Sequence, residues 1–443
     1  MHLIWENLIK NLIALWTGEF KGLDQGWEQY ELATAVWEGV GSATMQTGST
    51  VPYVFSPRLP DIAINKSQCT ADAWSFWTQY IAPVLLCRKF KQPKYYTHFV
   101  ELVKLIRLCL RFELNMDDIT TIREGFIEWV TTYERFYYQS HPSRLPACPV
   151  TIHTLLHIAD SIEASGPVWV SWAFPMERYC GYLQPAIKSR CFPYACIDQH
   201  VLNLARLAHI KLVYNLKQEL SLKPPCTADL RRGEFSNPLY PSSVLMPPRR
   251  VMPIESGLFS MIVRALVTVY NTTPSKIRPH LDTTKVEQWG KVRRLFGGDV
   301  MNASSLVAIG GDRRDVSYYE AAIDTNAAKR NVAPRFVLKT FFGQPQNIFV
   351  VRLPPSQALK LKELTTHFLA AIRSCTMDEN NTDLDIHYYS RFGKIDVIDL
   401  ACVQCLVGRV PDDMVGHRWG IIDWSGPLAR ALYVEDLTLE RMG

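Results

Sequence analysis

The sequence predicts an α+β chain of more than one domain, and three observations carry that prediction. Its 443 residues exceed what one hydrophobic core usually serves, and 47% hydrophobic with 11% aromatic residues is ample to fill several cores. Apolar residues recur at helical spacing through residues 1–222, whereas from Phe336 onward β-branched and aromatic residues alternate in short runs between turn formers. Between these stretches, residues 223–335 are rich in Pro, Ser and Arg, the composition of a linker, with a short helical piece inside it. The expected layout is a mostly α-helical region over 1–222, the linker, and a small antiparallel β-rich domain over 336–443.

The helices are justified in order. In the opening MHLIWENLIKNLIALW, Leu3, Ile4, Leu8, Ile9, Leu12, Ile13, Leu15 and Trp16 share one face while Glu6, Asn7, Lys10 and Asn11 fill the other. Only Met1 and His2 precede this helix, where a capping residue normally stands. FVELVKLIRLCLRFEL (99–114) is apolar nearly all round and predicts a buried helix; DDITTIREGFIEWVTTYERFYY (117–138) is amphipathic with an acidic first turn. PVTIHTLLHIADSIEASGP predicts a helix stopped by Gly166 and Pro167, and IDQHVLNLARLAHIKLVYNLKQEL a long one with Asp198 near its start. Between them, Val168 to Trp172 alternate as a short strand would, and Pro175 suits the first turn of a new helix.

Residues 223–253 read as linker, followed by GLFSMIVRALVTVYNTTPSKIRPHL, two helices around NTTP with a helix-turn-helix outline. The segments FVLKTFF, QNIFVVRL, DIHYYS, IDVIDLACVQCLVGRV, RWGIIDW and ALYVEDL then read as strands of a small sheet or barrel.

Charge is mild overall, +5, but residues 229–335 hold 16 Lys and Arg against 10 Asp and Glu. Arg249, Arg250, Arg293 and Arg294 in this basic segment are candidates for neutralising nucleic-acid phosphates, with a solvated linker as the plainer reading. No apolar run reaches membrane-spanning length and no signal peptide is visible, so no membrane partner is expected. The 11 scattered Cys suit reduced thiols inside the cell. There is no phosphate-cradling Gly-x4-Gly-Lys-Ser/Thr loop and no Gly-x-Ser-x-Gly elbow, so P-loop and α/β-hydrolase chemistry lack their parts.

HTLLH places His153 and His157 one helical turn apart, as zinc ligands would be. It lacks the Glu that follows the first His in zinc proteases, and its default reading is two packed or solvent-facing histidines. Cys402-Val-Gln-Cys405 lies in an expected strand, where residues three apart point to opposite faces; His387 and His417 would have to complete a site, and core thiols are the default. Glu177 stands in the first turn after the expected short strand, with Arg178, Lys188 and Arg190 near it in sequence. By residue chemistry alone it complements a helix dipole.

Three stretches taken in order add a resemblance. MHLIWENLIKNLIALW, CPVTIHTLLHIADSIEASGPVWVSWAFPMERYCGYLQPAIKSR and HYYSRFGKIDVIDLACVQCLVGRV with RWGIIDWSGPLARALYVEDL resemble the C-terminal part of CACTA (En/Spm-type) DNA transposases, as in mushroom-forming fungi. The similarity spans nearly the whole chain.

The resemblance implies a ribonuclease H-like DDE/D enzyme of transposable elements. In that class two Asp and a third acid hold two Mg²⁺ (or Mn²⁺) ions during cut-and-paste DNA transposition. It implies Glu177 as the third acid and metal ligand, and His2 as the His of a motif in which an Asp stands two residues before Met. It also implies that residues 18–149 are a helical insertion in the core, and that the two Asp of the triad lie upstream of Met1, so that this chain alone is catalytically incomplete and binds no metal pair. Asp72 reads as a helix-start residue and Asp160 as mid-helix, so neither is a local replacement. DNA at transposon ends is the implied partner, with Arg178, Lys188 and Arg190 joining the basic candidates; self-association and a nuclear location, or a cytoplasmic one for a fragment, are implied too. The alternative is a non-catalytic DNA- or protein-binding module derived from such an enzyme.

Overall fold

The computed structural model describes residues 2–21, 23, 28–53, 55–56, 58–216, 219–220, 230–295, 300–307, 315–324, 336–381, 384–412 and 417–423. It is α+β, as the sequence predicts, with helices first and one curled antiparallel sheet after them.

The helices are α1 (Ile9–Trp16), α2 (Thr34–Gln46), α3 (Ala71–Phe76), α4 (Ala82–Leu85), α5 (Pro93–Cys109), α6 (Met116–Tyr133), α7 (Val150–Thr154), α8 (Ile158–Ser165), α9 (Phe174–Leu183), α10 (Pro193–Val213), α11 (Ser256–Tyr270) and α12 (Pro274–Ile277). The opening residues wind as a wider π-helical stretch, His2–Leu8, which runs straight into α1 without a side-chain cap and is held by burying Trp5 and Leu8. Helix α6 starts on a reciprocal capping box, Asn115 Oδ1 accepting from Asp118 N at 2.8 Å and Asp118 Oδ2 accepting from Asn115 N at 3.1 Å. Thr70 caps α3, which leaves Asp72 in its first turn, the helix-start role its sequence indicates.

An aromatic core holds α1 to α8 together. Trp16 stands edge-on to Phe99, with ring centres 5.5 Å apart, and its Nε1 donates to the Tyr137 hydroxyl at 3.1 Å. His98 stacks on Trp129 at 4.4 Å; its Nε2 donates to Trp129 O at 3.1 Å while Trp129 Nε1 donates to His98 O at 2.9 Å. Arg144, itself buried, ties this core to its rim by donating to Tyr137 O at 2.7 Å and to Glu28 at 3.1 Å.

The strands are β1 (Phe235–Ser236), β2 (Ser243–Met252), β3 (Val286–Arg294), β4 (Val300–Asn302), β5 (Ser317–Asp324), β6 (Phe336–Leu353), β7 (Thr365–Asn381), β8 (Ile386–Asp399), β9 (Val403–Leu406), β10 (Gly408–Asp412) and β11 (Arg418–Ile422). Their order is β1-β2-β3-β6-β7-β8-β11-β10, with β4 on β3 and β5 bridging β6 to β9. Period-two alternation sends Ile348 and Val350 of β6 to one core with Trp289, Phe368 and Tyr240, and Phe349, Val351 and Leu353 to the opposite face against Phe259, Ile262, Val263 and Leu266 of α11. The sheet also meets the helical body. Val410 and Ile422 lie in the helical core, Thr50 O accepts from Arg409 N at 3.2 Å, and a Cβ on Gly420 of β11 would stand 2.7 Å from Val84 of α4.

Several sequence expectations need correction. The stretch read as linker carries β1 to β5, and β2 and β3 are full members of the sheet. Ser243, Val244 and Leu245 are buried and pair with β3, while Pro247 and Pro248, which have no N–H to offer, fall at the register break between Met246 and Arg249. The helix-turn-helix outline fails because the second helix, α12, has four residues and α11 spends its apolar face on the sheet. Val168–Ser171 form a 3₁₀ turn instead of a strand; no strand pairs with them among the described residues, and Trp169 Nε1 donates to Phe112 O at 3.0 Å. FVLKTFF and QNIFVVRL are one strand, β6, with an irregularity between Pro345 and Asn347. Cys402 closes a 3₁₀ turn and Cys405 lies in β9, so the pair straddles two elements. ALYVEDL lies outside the described residues.

Candidate functional site

Helix α9 carries the Pro-Met-Glu-Arg motif in its first turn, with Pro175 pre-setting the backbone there. The side chains of Glu177 and Arg178 lie outside the described residues, so the structure gives the turn and not the reach of the carboxylate. His2, the other catalytic candidate, is exposed at the head of the π-helical stretch, where its carbonyl accepts from Asn7 Nδ2 at 2.7 Å.

The surroundings of this motif are more informative. Helix α10 has 21 residues and none is buried; Tyr194, Val201, Leu202, Ile210, Leu212 and Val213 are exposed. On α9, Met176, Tyr179 and Tyr182 are exposed, and Phe192 between the helices is 70% exposed. The two helices touch through a half-covered stripe in which the Tyr182 and His200 rings are 5.8 Å apart. His200 Nε2 is buried there with no hydrogen-bond partner among the described residues. Lys188 and Arg190 are exposed in the turn joining α9 to α10.

The basic candidates of β2 and β3 sort themselves by partner. Arg249 grips Glu287 with Nε at 3.0 Å and Nη2 at 3.1 Å, and Arg352 and Trp289 Nε1 donate to the same carboxylate. Burial alone would raise the Glu287 pKa; the hydrogen bonds from Arg352, Arg249 and Trp289 outweigh it and hold the carboxyl below its ordinary range. Arg293 is buried and paired with Glu234 at 3.1 Å, and Arg294 donates to Ser243 Oγ at 2.8 Å. Arg293 is therefore an internal strut, a correction to its reading as a phosphate contact, because reaching a phosphate would strand Glu234 in the interior. Arg250 is exposed on β2, and no ion pair is formed by it among the described residues. Sequence spacing gave no hint of these pairs, since Glu234 and Arg293 are 59 residues apart.

Among the described residues no three His, Cys, Asp or Glu side chains converge as a metal site, at Cys402 and Cys405 or elsewhere, so no catalytic step is derived through a metal pair. No helix among them is long and apolar enough to cross a membrane. Scans against protein-family models, curated proteins and solved structures each return no match for this chain.

Proposed function

We propose that this chain is the C-terminal part of a CACTA-type transposase of the ribonuclease H-like DDE/D class, acting on transposon-end DNA in the nucleus. Glu177 is then its contribution to the acids that hold Mg²⁺, and the ions would supply charge stabilisation at the attacking and leaving oxygens of the cut phosphodiester. The resemblance of three ordered stretches supports the reading. The structural observation that supports it is the exposed pair α9–α10: among the described residues Met176, Tyr179 and Tyr182 of α9 and Tyr194, Leu202 and Leu212 of α10 are exposed beside the motif acid. In this reading a ribonuclease H-like sheet packs there and brings the remaining acids. Lys188, Arg190 and Arg250, all exposed, are the phosphate contacts in this reading.

Fluorescence polarisation on duplex DNA tests the DNA half of the proposal. Affinity is expected to fall log-linearly with salt, and Lys188→Ala with Arg190→Ala should flatten that slope by about one to two charges. Absent or salt-independent binding would remove DNA as the partner. For the acid, Mg²⁺-dependent strand cleavage by the protein supplied with the sheet-bearing segment should vanish in Glu177→Gln; undiminished cleavage would take the role from Glu177.

A further inference from the structure

Independently of the transposase reading, the geometry points to a binding site for a borderline divalent transition-metal ion, Zn²⁺ as the type, on the His153–His157 pair. The two Nε2 atoms face each other at 3.3 Å across an exposed helix surface, with rings 5.0 Å apart and inclined at 77°. Two imidazole nitrogens about 2.05 Å from one tetrahedral ion stand about 3.3–3.4 Å apart, so the pair already has the bite of a chelate. With no ion bound, the same separation allows an Nε2–H···Nε2 hydrogen bond with either ring as donor.

The convergence comes from the backbone. A 3₁₀ turn, Leu155–His157, sits between α7 and α8, while Ile152, Leu155, Ala159 and Ile162 are buried and pin the opposite face. Both histidines are thereby aimed outward from a rigid support. An acidic side chain stands beside the pair. Asp160 Oδ2 lies 4.0 Å from His157 Nδ1, beyond hydrogen-bond distance, and places negative charge near the site. Asp160 is in turn held by Arg123, whose Nη2 donates to its Oδ1 at 3.0 Å and to Glu163 at 2.7 Å.

Imidazole suits Zn²⁺, Ni²⁺ and Cu²⁺, whereas Mg²⁺ prefers oxygen donors, so the site is chemically separate from any carboxylate metal pair. Two protein nitrogens fill half of a tetrahedron, and water takes the open positions.

The test is Zn²⁺ titration of the full chain against a chromophoric chelator, beside His153→Ala, His157→Ala and Asp160→Asn. Thiol sites are common to all four proteins and cancel in the comparison. The expected result is one equivalent present in the wild type and missing from both histidine variants. Asp160→Asn should keep that equivalent, with affinity lowered by the loss of one nearby negative charge. Both histidines are exposed, so the variants should fold, as far-UV circular dichroism checks. Equal equivalents in the wild type and both histidine variants would overturn the site and leave a hydrogen-bonded histidine pair.

Discussion

Helices α5 and α10 are both long and rich in apolar residues, yet they meet opposite fates. In α5, Tyr95, His98, Phe99, Val100, Leu102, Val103, Leu105, Ile106 and Cys109 are buried, whereas no residue of α10 is more than half-buried. The difference is one of neighbours. Helix α5 lies against α6 and exchanges reciprocal hydrogen bonds through His98 and Trp129, while among the described residues α10 meets the short α9 and the turn after it. Apolar periodicity thus makes a helix without guaranteeing a partner among the described residues.

The contrast can be broken first at its packed side. Trp16 is 1% exposed and fixed by a hydrogen bond and two edge-on rings, so Trp16→Ala should lower stability in urea denaturation by about 3–5 kcal/mol. A loss below about 1 kcal/mol would mean that the helical core is looser than described.

Acid should act on the same core next. Burial holds His98 neutral down to about 4, against a small opposing effect of its hydrogen bond to Trp129 O. The unfolded chain takes up that proton near pH 6.5, at about the ordinary histidine value, so stability is full above it and declines as pH falls towards 4. The expected loss is roughly 3 kcal/mol, read by urea titrations across that range, and it should shrink in His98→Gln.

The sheet offers a smaller effect. Glu287→Gln removes the charge that Arg249 and Arg352 both grip and should cost about 1–3 kcal/mol. Because the wild-type carboxyl lies below its ordinary range, its stabilising share is present at neutral pH and lost as pH falls through the folded value. The difference between wild type and variant should therefore narrow in acid.

The smallest effect sharpens the comparison most. Leu212 is 72% exposed and Leu202 45%, so truncating either to Ala should change stability by less than about 0.5 kcal/mol. A cost near that of Trp16→Ala would show that α10 is covered in solution, by a second copy or another partner.

Much of the fold is readable along the chain, but unevenly. The helix over 117–138, the stop at Gly166 and the strands after Phe336 follow from spacing, capping residues and turn formers, all local signals. The five strands hidden in the presumed linker do not, because Pro and Arg dilute the alternation of SSVLM while distant residues supply its pairing partners. The site is less legible. Sequence placed Glu177 in a first helical turn, yet it offered four arginines as equivalent where the structure makes Arg293 an internal strut and leaves Arg250 outside.

By itself, then, the sequence determined the main helices and the strands after Phe336, because there backbone preference and hydrophobic period act within a few residues. Only the tertiary structure decided who packs on whom. Trp16 finds Tyr137 across 121 positions and Thr50 finds Arg409 across 359. Such pairings are chosen by the shape and charge of surfaces that exist only once the elements have formed, and the bare face of α10 is legible only at that same stage.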